Sequence, residues 1–184
     1  TKYLGYALDD SVEIDGTKFR DLFKSRITNG PLQQRLVTVG QRHNPAVLAI
    51  DLSSASRVEL ISSEVFRRVL IWAGFSRIAK HALLELQVEE DGRAGELHDA
   101  VRALGYEWSE IRNNEIVGGG IASQAASQLY PNVFPDQEAF EQLRIDKMGV
   151  DDIVRRMLEL VERCHGDQQL IVILDEAGQY AASR

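Results

Sequence analysis

Two short runs of aliphatic residues constrain the fold of this chain more than any other feature. Ala46–Ile50 ends at Asp51, and Leu170–Leu174 ends at the acidic pair Asp175-Glu176. Neither run alternates apolar with polar residues, and unbroken runs of this kind are typical of strands covered on both faces, as in a parallel sheet. The sequence therefore predicts two buried strands of an α/β fold.

The residues between the two runs favour helices. Apolar side chains recur at helical spacing between about residues 57 and 165, most clearly in Val150–Cys164, which leads through a short turn into the second run. A helix that runs directly into a strand is half of a parallel crossover unit. Residues 2–8 and 17–27 predict two further helices, whereas the three consecutive glycines at 118–120 predict a loop.

Composition and charge exclude several classes of protein. Of the 184 residues, 44% are hydrophobic and 27% are charged, which is normal for a packed domain and excludes disordered, collagen-like and disulfide-scaffold proteins. No apolar stretch reaches the ~18–20 residues that a membrane span needs. The single cysteine, Cys164, suits a reducing cytoplasm. The net charge of −7 argues against a general nucleic-acid-binding surface, and residues 91–145 alone carry −5.

The acidic pair after the second run is typical of a Walker B motif. The carboxyl ends of parallel strands form the edge of a sheet where α/β folds place their ligands. Asp175 is the predicted Mg²⁺ ligand beside the ATP phosphates, and Glu176 is the residue predicted to orient and deprotonate the attacking water. Asp51, which ends the first run, is expected at the same edge if the strands are parallel, where it either caps the turn or lines the nucleotide side. The alternative to a Walker B motif is that Leu170–Leu174 is a buried strand and that Asp175-Glu176 is only the solvated acidic turn at its end.

A phosphate-binding loop of the form GxxxxGK[ST] does not occur in the sequence. Because such a loop runs directly into a helix, Thr1 is a candidate for its Mg²⁺-binding threonine, with residues 2–8 as the helix behind it. This assignment requires a Gly-Lys pair before Thr1. On this interpretation the chain is an internal part of an ATPase domain, from just after the phosphate loop to just after Walker B.

Other polar residues carry weaker signals. The pairs Arg67-Arg68 and Arg155-Arg156 are expected on solvated helix faces, although either pair is able to contact phosphate, DNA or a neighbouring subunit. Four histidines lack the spacing of metal ligands and are expected at the surface or at helix ends; they are His43, His81, His98 and His165.

The stretch Ile173–Tyr180 reads ILDEAGQY and resembles the DE-x-G-Q-[YF] form of Walker B in large P-loop ATPases of bacterial phage-defence systems. These are proteins of the BREX and phage-growth-limitation type (BrxC- and PglY-like). Ala46–Leu52 and the segments at residues 78–86 and 105–112 are similar to the strand and the helical region that these proteins place before Walker B. The resemblance implies a partial P-loop NTPase fold of the AAA-like class, with a parallel sheet and a large helical insertion between strands.

The resemblance also implies a function. Residues 1–184 form a single partial ATPase domain on this view, with ATP and Mg²⁺ as cofactors. Asp175 and Thr1 bind metal and nucleotide, and Glu176 is catalytic. DNA and other defence-system proteins are the implied partners in the cytoplasm, a homo-oligomer is left open, and the isolated chain is expected to be inactive.

Two other functions are compatible with the same residues. One is a non-enzymatic α/β interaction module, in which the acidic helices around residues 91–145 dock a basic partner. The other is a nucleotide-binding switch that does not turn ATP over. The position of Asp175 relative to the first strand and to Thr1 discriminates between the ATPase and the interaction module.

Overall fold

The computed structural model describes residues 2–9, 11–52, 60–166 and 169–177, which form helices and two small sheets. The strands are β1 (Glu13–Ile14), β2 (Thr17–Lys18), β3 (Ala46–Asp51) and β4 (Leu170–Asp175). The helices are α1 (Lys2–Leu8), α2 (Phe19–Arg26), α3 (Gly30–His43), α4 (Ile61–Trp72), α5 (Ala79–Glu90), α6 (Ala94–Ala103), α7 (Trp108–Ile111), α8 (Glu115–Leu129), α9 (Gln137–Glu141) and α10 (Val150–His165), with a 3₁₀ helix at Ile145–Lys147. The presence of both helices and strands confirms the predicted α/β class.

The chain divides into two compact units. Unit 1 consists of residues 1–59 and 155–184, and unit 2 consists of residues 60–154. The second boundary falls inside α10, so unit 2 is inserted in the sequence between β3 and β4. A large helical insertion at this place was expected from the sequence, whereas a single ATPase domain over residues 1–184 stays a prediction.

The two aliphatic runs form a parallel sheet in unit 1. β3 pairs with β4 in the register that sets Ala46 beside Leu170 and Asp51 beside Asp175. The predicted strands and their bounds are thus confirmed. Burial differs between them, because β3 has buried residues at 46, 47 and 50 whereas β4 is only half-buried and Leu174 is 37% exposed. The expectation that both strands are covered on both faces is therefore wrong for β4.

Helix α1 lies against both strands. Gly5 allows the close approach, since a Cβ at this position would overlap the side chains of Ile173 and Val47. After the helix, the buried carboxylate of Asp9 accepts a hydrogen bond of 2.7 Å from the Val47 N–H, near the amino end of β3. Gly5 and Asp9 thus both lie near Val47, and α1 packs across β3 and β4.

Asp9 also provides a hydrogen-bond acceptor for the Val47 N–H, which lies at the outer edge of β3. The Ala46 N–H donates to the Gln169 carbonyl at 3.0 Å, so the alternation along the strand turns the Val47 N–H to the opposite edge. A buried N–H without an acceptor costs about 1–3 kcal/mol. The Asp9 carboxylate removes that cost at an edge where, among the described residues, no further strand pairs.

Unit 2 is built of helices around one apolar core. The core joins helices α5 to α9 through buried aliphatic, aromatic and alanine side chains. Its largest fully buried members include Phe140, Leu84, Leu97 and Ile111. Within the described residues no helix combines the length and the apolar composition that crossing a bilayer requires.

The predicted loop at the three glycines is wrong, because residues 118–120 lie inside α8. The Asn114 side chain caps this helix by accepting a hydrogen bond of 3.2 Å from the Val117 N–H. Gly118 packs against the Ile111 carbonyl and the His81 ring, where no Cβ fits. Packing against the core thus outweighs the low helix propensity of glycine. Residues 17–18 also differ from prediction, since they form β2 before α2 begins.

Candidate functional site

The carboxyl edge of the β3–β4 sheet brings the predicted acidic residues together. Asp51 and Asp175 occupy paired positions at the ends of the two strands, and Glu176 follows immediately. Asp175 is half-buried and Glu176 is exposed. Thr1 lies outside the described residues, so its role as a metal and nucleotide ligand stays a prediction.

The chain turns sharply after Asp175. Glu176 has a φ of 58°, in the left-handed region that residues other than glycine adopt rarely. Its N–H donates to Asp175 Oδ1 at 3.2 Å. Backbone held in this region is concentrated at functional sites, where the surrounding structure maintains the strain. The turn places a second carboxylate just beyond the end of β4.

The oxygen donors at this edge fit a hard divalent cation. Mg²⁺ takes one or two carboxylates from a protein and fills its other positions with water and phosphate oxygens. Asp51 and Asp175 offer two carboxylates in neighbouring strands. No cluster of three or more His, Cys, Asp or Glu side chains suited to a metal occurs in the described part of the chain. A cation here thus depends on water and on a phosphate ligand to complete its coordination.

Unit 2 contains a second candidate site, a cavity of about 290 Å³ between α5, α6, α7 and the turn at residues 73–75 that follows α4. Its apolar walls include Phe75, Val88, Leu97 and Trp108, and its polar lining includes Glu85, Glu89, His98, Ser109 and Arg112. We call this space the unit 2 cavity.

One wall of the unit 2 cavity is a hydrogen-bonded network centred on Glu85, which is 7% exposed. Its carboxylate accepts hydrogen bonds from the Ser76 N–H at 2.6 Å and from the Trp108 indole at 2.7 Å. The Arg112 guanidinium pairs with the same carboxylate, with Nε 2.7 Å away, and also donates to the Gly74 carbonyl at 2.7 Å. The buried charge is therefore compensated, and the network holds this wall in one geometry.

His81 lies beside this network in the first turn of α5 and is completely buried, so of the two expected positions the surface is wrong and the helix end is confirmed. Its Nδ1 is 2.9 Å from the Arg112 carbonyl oxygen, which only accepts, so Nδ1 carries the proton. Its ring packs near those of Trp108 and Phe140. Burial lowers the pKa of His81, because the imidazolium form would lose its hydration.

The lowered pKa of His81 predicts that unit 2 loses stability on acidification. In the unfolded chain the His81 imidazole binds a proton near pH 6.5, whereas in the folded chain it binds this proton more weakly. The contribution of neutral His81 to stability is therefore fully present above about pH 6.5 and is lost as the pH drops below it. The loss is at most about 1.4 kcal/mol per pH unit, and a decrease in stability is expected between pH 7.5 and 5.5. Lys80 also lowers this pKa, whereas the Arg112 carbonyl, Glu85 and Glu141 raise it.

The measurement is urea unfolding of the parent and of His81→Asn at both pH values. Asn keeps a donor for the Arg112 carbonyl but does not titrate, so the parent should lose more stability than the variant on acidification. Equal losses in the two proteins would contradict the assignment of a buried neutral imidazole.

The sequence did not predict a site at the residues around the unit 2 cavity. Glu85 stands alone among apolar neighbours in residues 82–86, and an isolated carboxylate on an apolar helix face is the one signal that marks it. Nothing in the sequence joins it to Trp108 and Arg112, because these partners lie more than twenty residues away and meet it only through packing.

The resemblance to phage-defence ATPases rests partly on residues 178–180, which lie outside the described residues. The described part of that stretch ends at Ala177 and includes the strand and both acidic residues. No family model, curated protein or solved structure was found to match the chain.

Proposed function

We propose that the carboxyl edge of the β3–β4 sheet is part of a Mg²⁺-dependent ATP site, which the chain contributes to a P-loop ATPase of the AAA-like class. The observation that supports this most is the parallel pairing of β3 with β4, which aligns Asp51 with Asp175. Ligands of open α/β sheets bind at this edge. The packing of α1 against both strands is compatible with a helix that follows a phosphate loop.

Each acidic residue has a distinct role in this proposal. Asp175 holds Mg²⁺, with Asp51 beside it, and Thr1 supplies a further oxygen ligand. Bound Mg²⁺ neutralises charge on the phosphates. Glu176, which is exposed just beyond the strand, orients the attacking water and takes its proton. Most of the catalysis in such sites comes from positioning and charge stabilisation.

The wider biological role in the proposal is DNA-linked phage defence in the cytoplasm, alongside other proteins of the defence system. It rests on the DEAGQY resemblance at residues 175–180.

Glu176→Gln is expected to lower ATP turnover by at least about 100-fold, because general base catalysis contributes about 10²–10⁴. ATP affinity should stay within about twofold, since the amide removes the base without removing Asp175. Steady-state hydrolysis and ATP titration are measured on the natural gene product that contains these residues. Glu162→Gln, an exposed residue of α10, is the matched control and should retain the parent rate.

Three outcomes separate this proposal from its alternatives. Undiminished hydrolysis in Glu176→Gln contradicts the proposed role. Mg²⁺-dependent ATP binding without turnover in the parent favours the nucleotide-binding switch. Absence of ATP binding in the parent favours the interaction module, in which Asp175 and Glu176 are only the polar end of a strand.

A further inference from the structure

The charge of the protein is concentrated in unit 2. Residues 60–154 carry nine Lys or Arg against sixteen Asp or Glu, whereas the rest of the chain carries twelve of each. The whole net charge of −7 therefore belongs to unit 2, which contains the cavity. Such a surface attracts basic partners and repels acidic ones.

The nine basic residues of unit 2 offset only part of this charge, and most of them pair with carboxylates of the same unit. Seven of the nine form such ion pairs; they are Arg67, Arg68, Lys80, Arg93, Arg102, Arg112 and Arg144. The carboxylates at or beside the cavity include Glu89, which lines it, and Glu110, which follows the cavity residue Ser109. Both are exposed.

The unit 2 cavity has apolar walls and a polar rim. Phe75, Val88, Leu97 and Trp108 supply apolar surface. Its volume of about 290 Å³ is at the lower end of the range for small-molecule pockets, ~300–1,000 Å³, and suits one large apolar side chain. The Glu85 network fixes one wall before any ligand arrives, which reduces the entropy lost on binding.

We propose that the unit 2 cavity is a docking site for a basic segment of a different protein. An apolar side chain of the segment fills the cavity, and the lysine or arginine residues that flank it lie against Glu89 and the neighbouring carboxylates. Protein interfaces usually bury an apolar anchor residue at their centre and surround it with a rim of polar and charged contacts.

Charge excludes the other occupants. Nucleic acid and anionic membrane surfaces carry the same sign as unit 2 and are repelled. A second copy of the chain brings an equally acidic unit 2 against the first, so self-association through this surface is disfavoured. A basic polypeptide is the occupant that complements both the cavity and its surroundings.

The test uses a fluorescein-labelled peptide with two leucines between two pairs of lysines, and fluorescence anisotropy as the readout. The parent should bind it, and affinity should fall at least tenfold when the leucines become glycines or the lysines become glutamates. Raising the salt concentration from 50 to 200 mM should weaken binding, because the charge contacts are solvent-exposed.

Variants of the protein locate the site. Ala94→Phe and Ser109→Phe each place a ring into the cavity and should weaken peptide binding at least tenfold. Glu89→Gln should weaken it about threefold, whereas Glu138→Gln, an exposed residue of α9 that does not line the cavity, should leave affinity unchanged. Circular dichroism shows whether each variant is folded. The two cavity-filling variants, Ala94→Phe and Ser109→Phe, should weaken peptide binding in the same way.

The proposal is overturned if the parent does not bind the lysine–leucine peptide, or if it binds the glutamate version equally well. It is also overturned if folded Ser109→Phe binds the peptide as tightly as the parent does. Since the test requires no nucleotide, its failure leaves the proposed ATP site untouched, and the reverse is also true.

Discussion

Replacing Glu85 with alanine is expected to destabilise unit 2 by about 3–5 kcal/mol. The side chain is 7% exposed and its carboxylate compensates the Arg112 guanidinium, so the substitution leaves a partly buried charge without its partner. The Trp108 indole and the Ser76 N–H lose their acceptor at the same time. Urea unfolding monitored by tryptophan fluorescence reports this loss directly, because both tryptophans, Trp72 and Trp108, belong to unit 2.

A double variant tests the cause of that loss. Glu85→Leu combined with Arg112→Met removes both charges and fills the space with apolar groups, so it should be more stable than Glu85→Ala. Glu138→Ala, on the exposed surface of α9, should change stability by no more than about 0.5 kcal/mol. A Glu85→Ala variant as stable as Glu138→Ala would show that the network does not support unit 2.

Gly118→Ala is expected to destabilise unit 2 by about 3 kcal/mol. The added Cβ would collide with the Ile111 carbonyl oxygen, which is backbone and cannot rotate away, and would press on His81. Overpacking of this kind costs about 1–3 kcal/mol and occasionally more. Because backbone has to move, the gross cost is expected above this range at about 4 kcal/mol, and the ~1 kcal/mol that alanine gains over glycine in helix propensity reduces it to about 3 kcal/mol.

Gly120→Ala is the matched control for this prediction. Gly120 lies in the same helix, but a Cβ there would meet nothing within 4 Å. The gain in helix propensity is then unopposed, and the variant should be up to about 1 kcal/mol more stable than the parent. Chemical denaturation of the two variants should therefore give changes of opposite sign. Changes of the same sign would contradict the packing of α8 against Ile111.

The elements that the sequence predicts correctly are those whose signal is local. β3 and β4 are unbroken aliphatic runs closed by Asp51 and Asp175, and such runs have few alternatives to a strand between helices. α10 has a continuous apolar stripe over four turns, so its period identifies it. The Asp136 side chain accepts the Ala139 N–H at 2.8 Å at the start of α9, a local cap of the kind that an aspartate before a helix provides.

The features that escape prediction depend on contacts distant in sequence. The glycines of α8 are helical because neighbouring elements approach too closely for a side chain at Gly118, which no local pattern reveals. His81 is buried because α7 and α9 cover it. The same holds for the candidate sites. The acidic edge was predictable once two strands were assumed parallel, whereas the unit 2 cavity arises only from the packing of three helices and the turn at residues 73–75.

The measurement that tests the ATP site most directly is calorimetric titration of the natural gene product with ATP, with and without Mg²⁺. If Asp175 holds the cation, Asp175→Asn should weaken Mg·ATP binding at least tenfold and leave Mg²⁺-free ATP binding unchanged. Asp99→Asn, an exposed residue of α6, should match the parent under both conditions. Equal Mg·ATP affinity in the parent and in Asp175→Asn would contradict a metal site at the end of β4.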